Sequence, residues 1–341
     1  MKRCSTFLKN NKKHFFLLYF LAGFFLILAL VLGLLLGSTR LPFVALFRAL
    51  ADGGQTSPEE KIFLYVRLPR VLASLLAGGA LALSGAVLQG ALGNRLASPS
   101  VVGVNAGAGF AVTLAGAFGI LGGFRLSLFA FLGALLSVTL VSLGAKKWGL
   151  SRGTVILLGV ALNSLLGAAR DAVTVFVPDT AILGASFRVG DFSGVSYARI
   201  LPAAILIVLT AAVTFTLANE LDLLTLGDEN AYGLGLNAGR MRALLLLLSA
   251  MLAGAAVSLA GLLSFVGLLV PHAVRRFSGA LSKHLLPLSF LFGAAFVSLC
   301  DTLSRVVFAP YEIPVGIPMA LIGAPFFLFI LIKRKGGHRH A

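Results

Sequence analysis

Residues Arg67 to Val104 read RLPRVLASLLAGGALALSGAVLQGALGNRLASPSVVGV, and the class of the protein follows from them. An apolar run rich in Gly and Ala is fenced by Arg67 and Arg70 at one end and by an Asn-Arg and a Ser-Pro break at the other. The run is long enough for a lipid-spanning helix, which needs roughly 20 apolar residues. Its small residues let such helices pack backbone to backbone. Arginines at the mouth serve neither purpose and need a role of their own.

The remainder of the 341 residues extends that reading, with 58% hydrophobic and 12% charged side chains and a mean hydropathy of +0.99. Soluble domains carry about 25% charged residues, so this is a polytopic membrane protein. A net charge of +16 would suggest nucleic acid in a soluble chain. Here it is assigned to basic cytoplasmic loops that hold the topology, and no nucleic-acid partner is expected. Cys4 and Cys300 stand too far apart to suggest a disulfide framework or a metal site. The apolar run Phe15 to Leu36 exceeds a signal-peptide core and lacks an A-x-A-like site after it, so it reads as a retained first span.

The pattern predicts an all-α membrane protein of about ten transmembrane helices, near residues 15–37, 68–90, 101–121, 124–145, 152–170, 198–218, 241–261, 264–277, 285–305 and 314–332. The run 264–277 is short for a crossing and is expected to tilt or to sit inside the bundle. Residues 1–341 form one polytopic domain with no soluble insertion. With the N-terminus inside, Lys2, Lys9, Lys12, Lys13, Lys146, Lys147, Lys283, Lys333 and Lys335 are cytoplasmic and only Lys61 is outside. Arg3, Arg95, Arg152, Arg240, Arg242, Arg275, Arg276, Arg334 and Arg339 also fall inside. Both termini are therefore cytoplasmic, and Arg67, Arg70 and Arg305 face outward. Leu76–Gly85, LAGGALALSG, is echoed by Leu252–Gly261, LAGAAVSLAG. The two copies cross in opposite directions, the sign of two inverted five-helix halves near 15–170 and 198–332. Two Ala/Gly-rich helices can also resemble each other by composition alone.

Further strings stand in order along the chain: SFVGLLVPHAVR at 264–275, DTLSR at 301–305 and EIPVGIPMALIGAPFFL at 312–328. With RLPR, LSGAVLQ and NRLASPSVVGVNAGAGF, they closely resemble the FecCD family of permeases, over about residues 60 to 335. The resemblance implies the membrane subunit of an ATP-driven importer of iron–siderophore, haem or vitamin B12, with two permease subunits around one pathway. It further implies two ATP-binding subunits, an extracytoplasmic substrate-binding protein, and no cofactor in this chain. The location implied is the inner or plasma membrane. One departure is the turn SGALSK at 278–283, where the family usually has an acidic residue.

Arg67 and Arg70 are three apart and share a face if a helix begins there, with Pro69 suited to its first turn. Snorkelling to headgroups is the plain alternative, but outward arginines run against the positive-inside bias. The resemblance implies that they form, with Arg305, a basic socket for acidic residues of the binding protein. Asp301 and Arg305 are four apart, so an intrahelical ion pair competes with that role. Between the halves, Asn219–Arg242 holds an acidic cluster and reads as short amphipathic helices with a break near Gly227, or else as a solvated loop. The family has a matching segment that docks into its ATPase, which implies Leu226, Gly227, Asp228, Glu229, Ala231, Leu234 and Gly235 as the coupling element within 219–240.

Pro99 and Pro271 follow breaks near the cytoplasmic side and are either gate hinges or helix ends. Asn105 and Asn163 either face the interior or join helices. His272 reads as a packing or capping residue, not a metal ligand. No G-x-x-x-x-G-K-[ST] phosphate loop occurs, so ATP hydrolysis belongs to a partner. Carboxylates are absent from the middle of the spans, which disfavours an ion-coupled secondary transporter or exporter. That class stays the alternative, with a non-transporting scaffold behind it.

Overall fold

The computed structural model describes residues 2–37 and 57–335, with side chains over 13–37 and 57–328. The basic side chains invoked for topology at Lys2, Arg3, Lys9, Lys12, Lys333, Arg334, Lys335 and Arg339 lie outside those limits, as does Cys4. Among the described residues the fold is entirely helical. In chain order the helices are α1 (Lys2–Leu35), α2 (Pro58–Ala91), α3 (Val104–Ala117), α4 (Gly123–Lys147), α5 (Arg152–Phe176), α6 (Thr180–Val189) and α7 (Tyr197–Thr216). They continue with α8 (Ala218–Thr225), α9 (Asp228–Gly233), α10 (Ala238–Ala260), α11 (Val266–Ser278), α12 (Ser282–Val306) and α13 (Gly316–Lys335).

Seven of these helices are long and apolar enough to cross a membrane: α1 from Lys13, α2, α4, α5, α7, α10 and α12. Each of the ten expected spans meets a helix, but those at 101–121 and 264–277 shrink to the 14-residue α3 and 13-residue α11. In both places the chain enters the bundle as irregular backbone. Residues Ser100 and Val101 lie against the body of α5, where Asn163 Nδ2 donates to their carbonyl oxygens at 2.8 and 3.4 Å. Non-helical backbone at that depth is tolerated only when protein satisfies its polar groups. Helix α6 was not foreseen; its ten residues, TAILGASFRV, are too short to show a membrane-length apolar run.

The second helix starts ten residues earlier than expected. Ser57 and Glu60 form a capping box ahead of Pro58, the Ser57 hydroxyl accepting from Glu60 N at 3.4 Å and Ser57 N donating to the Glu60 carboxylate at 3.2 Å. Pro69 therefore sits inside a helix, where its ring clashes with the carbonyl four residues back. The preceding turn widens instead: Phe63–Arg67 is π-helical, with Leu68 N bonded to Phe63 O. Such bulges are a recognised way to insert a proline into a continuing helix.

Helix α2 is the hub, packed against α12, α10 and α11. Of its most apolar stretch 83% is buried, against 17% for α1 and 11% for α5. Close approach rests on glycine: Gly78 meets Gly293 of α12, Gly85 meets Gly267 of α11, and Gly107 of α3 meets Gly133 of α4. Between α2 and α10, the Ser84 and Ser249 hydroxyls bond at 2.7 Å. Small residues and paired hydroxyls supply the van der Waals contact and hydrogen bonding that associate helices where lipid leaves no hydrophobic drive.

Candidate docking and coupling sites

About 31 Å separates Arg70 from Ala91 along α2 at 1.5 Å per residue, and a polar cluster stands at each end. At the first, α2, α12, the end of α1 and two connecting segments converge. Arg70 is 5% exposed, and its Nε donates to both oxygens of the fully buried Asp301 at 3.0 and 3.2 Å. Its Nη1 donates to Glu312 at 2.6 Å, while Asp191 lies 3.9 Å from Nη2. Arg305, one turn beyond Asp301, pairs with the same carboxylate at 3.2 Å. The intrahelical pair expected from their spacing is thus formed, as part of a larger network.

Arg67 and Arg305 also hold the end of α1. Arg67 Nη1 donates to Leu34 O and Leu35 O at 3.0 and 2.8 Å. Arg305 donates to Leu36 O at 3.2 Å and Gly33 O at 3.1 Å. The last carbonyls of a helix lack intrahelical partners and carry the negative end of its dipole, so cations are favoured there. All three sequence-predicted arginines therefore come together, buried beneath the surface rather than projecting from it. Their acidic partners Asp191 and Glu312, which keep about a third of their side chains exposed, were not singled out in sequence. Only their positions beside glycine- and proline-rich turns marked them. Arg67→Met is expected to remove two hydrogen bonds to carbonyls. Faster amide exchange confined to the last turn of α1, with α2 unchanged, is the result that checks it.

Arg199 repeats the device. Its Nε donates to the Ser127 hydroxyl at 2.8 Å and its Nη2 to Ser258 O and Leu259 O at 2.9 and 3.2 Å, closing the end of α10.

At the other end, the segment 226–235 folds as a turn, α9 and a second turn. Gly227 (φ 106°) and Gly235 (φ 83°) bracket the helix in backbone conformations that favour glycine. Ala231 is fully buried, whereas Leu226, Tyr232 and Leu234 are more than half exposed. Asp228 is clamped through one oxygen by Arg152 at the start of α5 and by Arg242 on α10, the latter at 2.5 Å. Partial burial pushes the Asp228 carboxyl upward, but hydrogen bonds and charge from the two arginines outweigh it and hold the carboxyl below the usual carboxylate range. The short helices expected here are formed, and α9 is fastened to two long helices, with Glu229, Asn230 and Tyr232 exposed on it and Leu226 and Leu234 exposed on either side.

Among the candidate hinge residues, Pro271 is not a helix end: it lies inside α11. Proline there frees the carbonyl four residues earlier, Gly267 O, and Gln89 Nε2 of α2 donates to that oxygen at 3.2 Å. Arg275 in turn donates to Gln89 Oε1 at 3.0 Å. Pro99 approaches the same side of Gly267 as Leu81 and Gly85 of α2, so both prolines bear on one point of the α2–α11 interface. Asn163 joins α5 to residues 100–101, and Asn105 sits half-buried at the start of α3.

A model of the FecCD transport family matches residues 25–333. The hemin transport system permease protein HmuU of Yersinia pestis is 36% identical over 321 residues, covering 92% of this chain and 95% of that protein. The Fe(3+) dicitrate transport system permease protein FecC of Escherichia coli (strain K12) is 37% identical over 300 residues, covering 85% and 88%. A solved inward-facing structure of a metal-chelate type ABC transporter superposes with a TM-score of 0.82 at 31% identity, covering 92% of this chain and 98% of that one.

Proposed function

Because the chain belongs to the FecCD transport family of ABC transporter permeases, we propose that it is the translocating subunit of an ATP-driven importer that carries an iron chelate inward. A siderophore is the cargo assigned, with haem or cobalamin the neighbouring choices. The observation that carries the reading is the family match across nearly the whole chain. The protein is a multi-pass membrane protein and a transport subunit, with hydrolysis supplied by separate ATP-binding subunits.

Ten crossings in two inverted halves form one domain, with both termini cytoplasmic. Support comes from the contacts of the repeated stretch: Gly78 of α2 meets Gly293 on α12, and its counterpart Gly254 of α10 meets Ala134 and Phe131 on α4. A second permease subunit, identical or paralogous, covers α5. That helix is scarcely buried in the single chain yet carries the ion pair of Arg170 and Asp171, charges that are costly against lipid.

The Arg67–Arg70–Arg305 end receives the substrate-binding protein. Arg70 commits Nε to Asp301 and Nη1 to Glu312, while its buried Nη2 has no hydrogen bond among the described residues and only Asp191 at 3.9 Å. An incoming acidic residue therefore reaches it at Nη2 or by taking the place of Glu312 or Asp191. Docking and rearrangement of this end are then one event, with rim charges setting association rate and register. At the cytoplasmic end, Leu226–Gly235 seats in the ATPase. Arg152 and Arg242, joined through Asp228, pass its movement to α5 and α10, while the Pro99–Pro271 contact and the Asn105 and Asn163 joints act as gate elements.

In proteoliposomes containing the permease, its ATPase and its binding protein, ferric-siderophore accumulation is expected to require ATP and to persist when proton and sodium gradients are collapsed. Gradient-driven uptake without ATP would identify a secondary transporter instead. Gly227→Val and Ala231→Glu should each lower transport-coupled ATPase by at least about tenfold, equivalent to about 1.4 kcal/mol in the barrier, with the complex still assembled. Normal coupling in both would remove α9 from the mechanism.

A further inference from the structure

Beside α9, the turn joining α4 to α5 and the start of α10 enclose a cavity of about 590 Å³. Lys146 and Arg240 stand exposed on its rim, and no ion pair engages either of them among the described residues. Arg242, also on the wall, shares the single carboxylate of Asp228 with Arg152. The mouth is therefore left with a positive excess.

The floor is apolar. Leu150, Val155 and Leu246 line it, Val155 and Leu246 being 1% and 2% exposed. Leu246 lies six residues beyond Arg240 on one helix, about 9 Å deeper at 1.5 Å per residue. Ser142 also lines the wall, and its hydroxyl is buried with no hydrogen-bond partner. Trp148, 62% exposed on the same turn, is the type of side chain that settles at the headgroup level. Cations at the mouth, an unsatisfied hydroxyl on the wall and an apolar base match a phosphodiester headgroup and the first carbons of its chains. Basic pockets between helices on the cytoplasmic side suit such headgroups in general.

We propose that this cavity binds an anionic phospholipid of the cytoplasmic leaflet, its phosphate between Lys146 and Arg240 and the start of its chains on Leu150, Val155 and Leu246. The leaflet rests on the orientation given above; the binding itself does not depend on what the protein transports. A protein partner finds apolar surface on Leu226 and Leu234, which flank α9 outside the cavity, whereas this site is concave and basic and takes only Tyr232 and Asp228 from α9.

Native mass spectrometry of the full chain in detergent, titrated with phosphatidylglycerol, phosphatidylcholine or inorganic phosphate, tests the assignment. Phosphatidylglycerol is expected to bind at least about tenfold more tightly than phosphatidylcholine, a difference of about 1.4 kcal/mol. The double variant Lys146→Gln, Arg240→Gln should abolish that preference. The charge-keeping pair Lys146→Arg, Arg240→Lys should retain it, as should Lys147→Gln, which alters a neighbouring lysine outside the cavity. Equal binding of the two lipids, or a preference that survives the double Gln variant, overturns the proposal. So does displacement of the lipid by equimolar inorganic phosphate, which marks a free-anion site, or by the ATPase subunit, which marks a protein interface. Transport does not enter the readout, so an error in the cargo assignment leaves this result intact.

Discussion

Asp301→Ala is expected to abolish recovery of folded protein. The carboxylate is fully buried and is the shared partner of Arg70 and Arg305, themselves 5% and 3% exposed. Its removal takes the shared buried counter-charge from two cations, leaving Arg70 with the partly exposed Glu312 and Arg305 with backbone carbonyls, and breaking a buried ion pair by deleting one partner costs about 3–5 kcal/mol. Total stabilities run to only about 5–15 kcal/mol, so the loss takes much of what holds the bundle. Size-exclusion profiles and the thermal midpoint in detergent are the measurements. Asp301→Asn, which keeps shape and part of the hydrogen bonding, should fall between wild type and Ala. The triple change Arg70→Met, Asp301→Leu, Arg305→Met should recover folded material, because apolar replacement of a whole buried ionic group is often neutral or stabilising. A wild-type profile for Asp301→Ala would show that the network contributes nothing to the fold. The same geometry bears on any docking experiment. Arg70→Glu would place a carboxylate against Asp301, so reduced capture of a binding protein by that variant reports folding before it reports docking. Glu312→Gln, on a partly exposed partner, leaves Asp301 satisfied and probes docking more directly.

The helices were legible wherever a property repeated along the chain. Apolar runs marked the seven long spans, and the Gly/Ala stretch within Arg67–Val104 marked the hub. Gly227 and the acidic residues after it marked α9. What escaped was pairing across distance. Nothing near Arg70 in sequence indicates that Asp301, 231 residues away, will neutralise it, and the arginines therefore read as an outward socket. Pro69 likewise signalled a helix start, because the π-turn that lets α2 continue from Pro58 has no composition of its own. Pro271 stayed open between hinge and helix end for the matching reason: the carbonyl it frees is rescued by Gln89, on another helix. Helix α6 was hidden by its brevity. The FecCD motifs picked out residues that the structure gathers into two polar clusters, while leaving open whether each faces solvent or a neighbouring helix.

Gly85→Leu is expected to separate α2 from α11 and end transport. Gly85 faces the backbone of Gly267 so closely that even a Cβ would overlap the Gly267 carbonyl. Backbone on both sides cannot give way as a flexible side chain would. Forcing extra carbons into a packed interior costs about 1–3 kcal/mol, occasionally more. A second penalty compounds it here. The Gly267 oxygen is the one left without an intrahelical donor by Pro271, and Gln89, one turn beyond Gly85, supplies the replacement. Pushing α11 away breaks that bond and leaves a buried acceptor unsatisfied, at about 1–3 kcal/mol more. Gly85→Ala should show the same defect in reduced form, as a lowered thermal midpoint with residual uptake. Gly109→Ala is the matched control, because a Cβ there meets no atom within 4 Å, and Ala is favoured over Gly in a helix by roughly 0.5–1 kcal/mol. It should be neutral or stabilising. If Gly85→Ala and Gly109→Ala behave alike in both stability and uptake, helical propensity and not the α2–α11 approach explains the glycine at position 85.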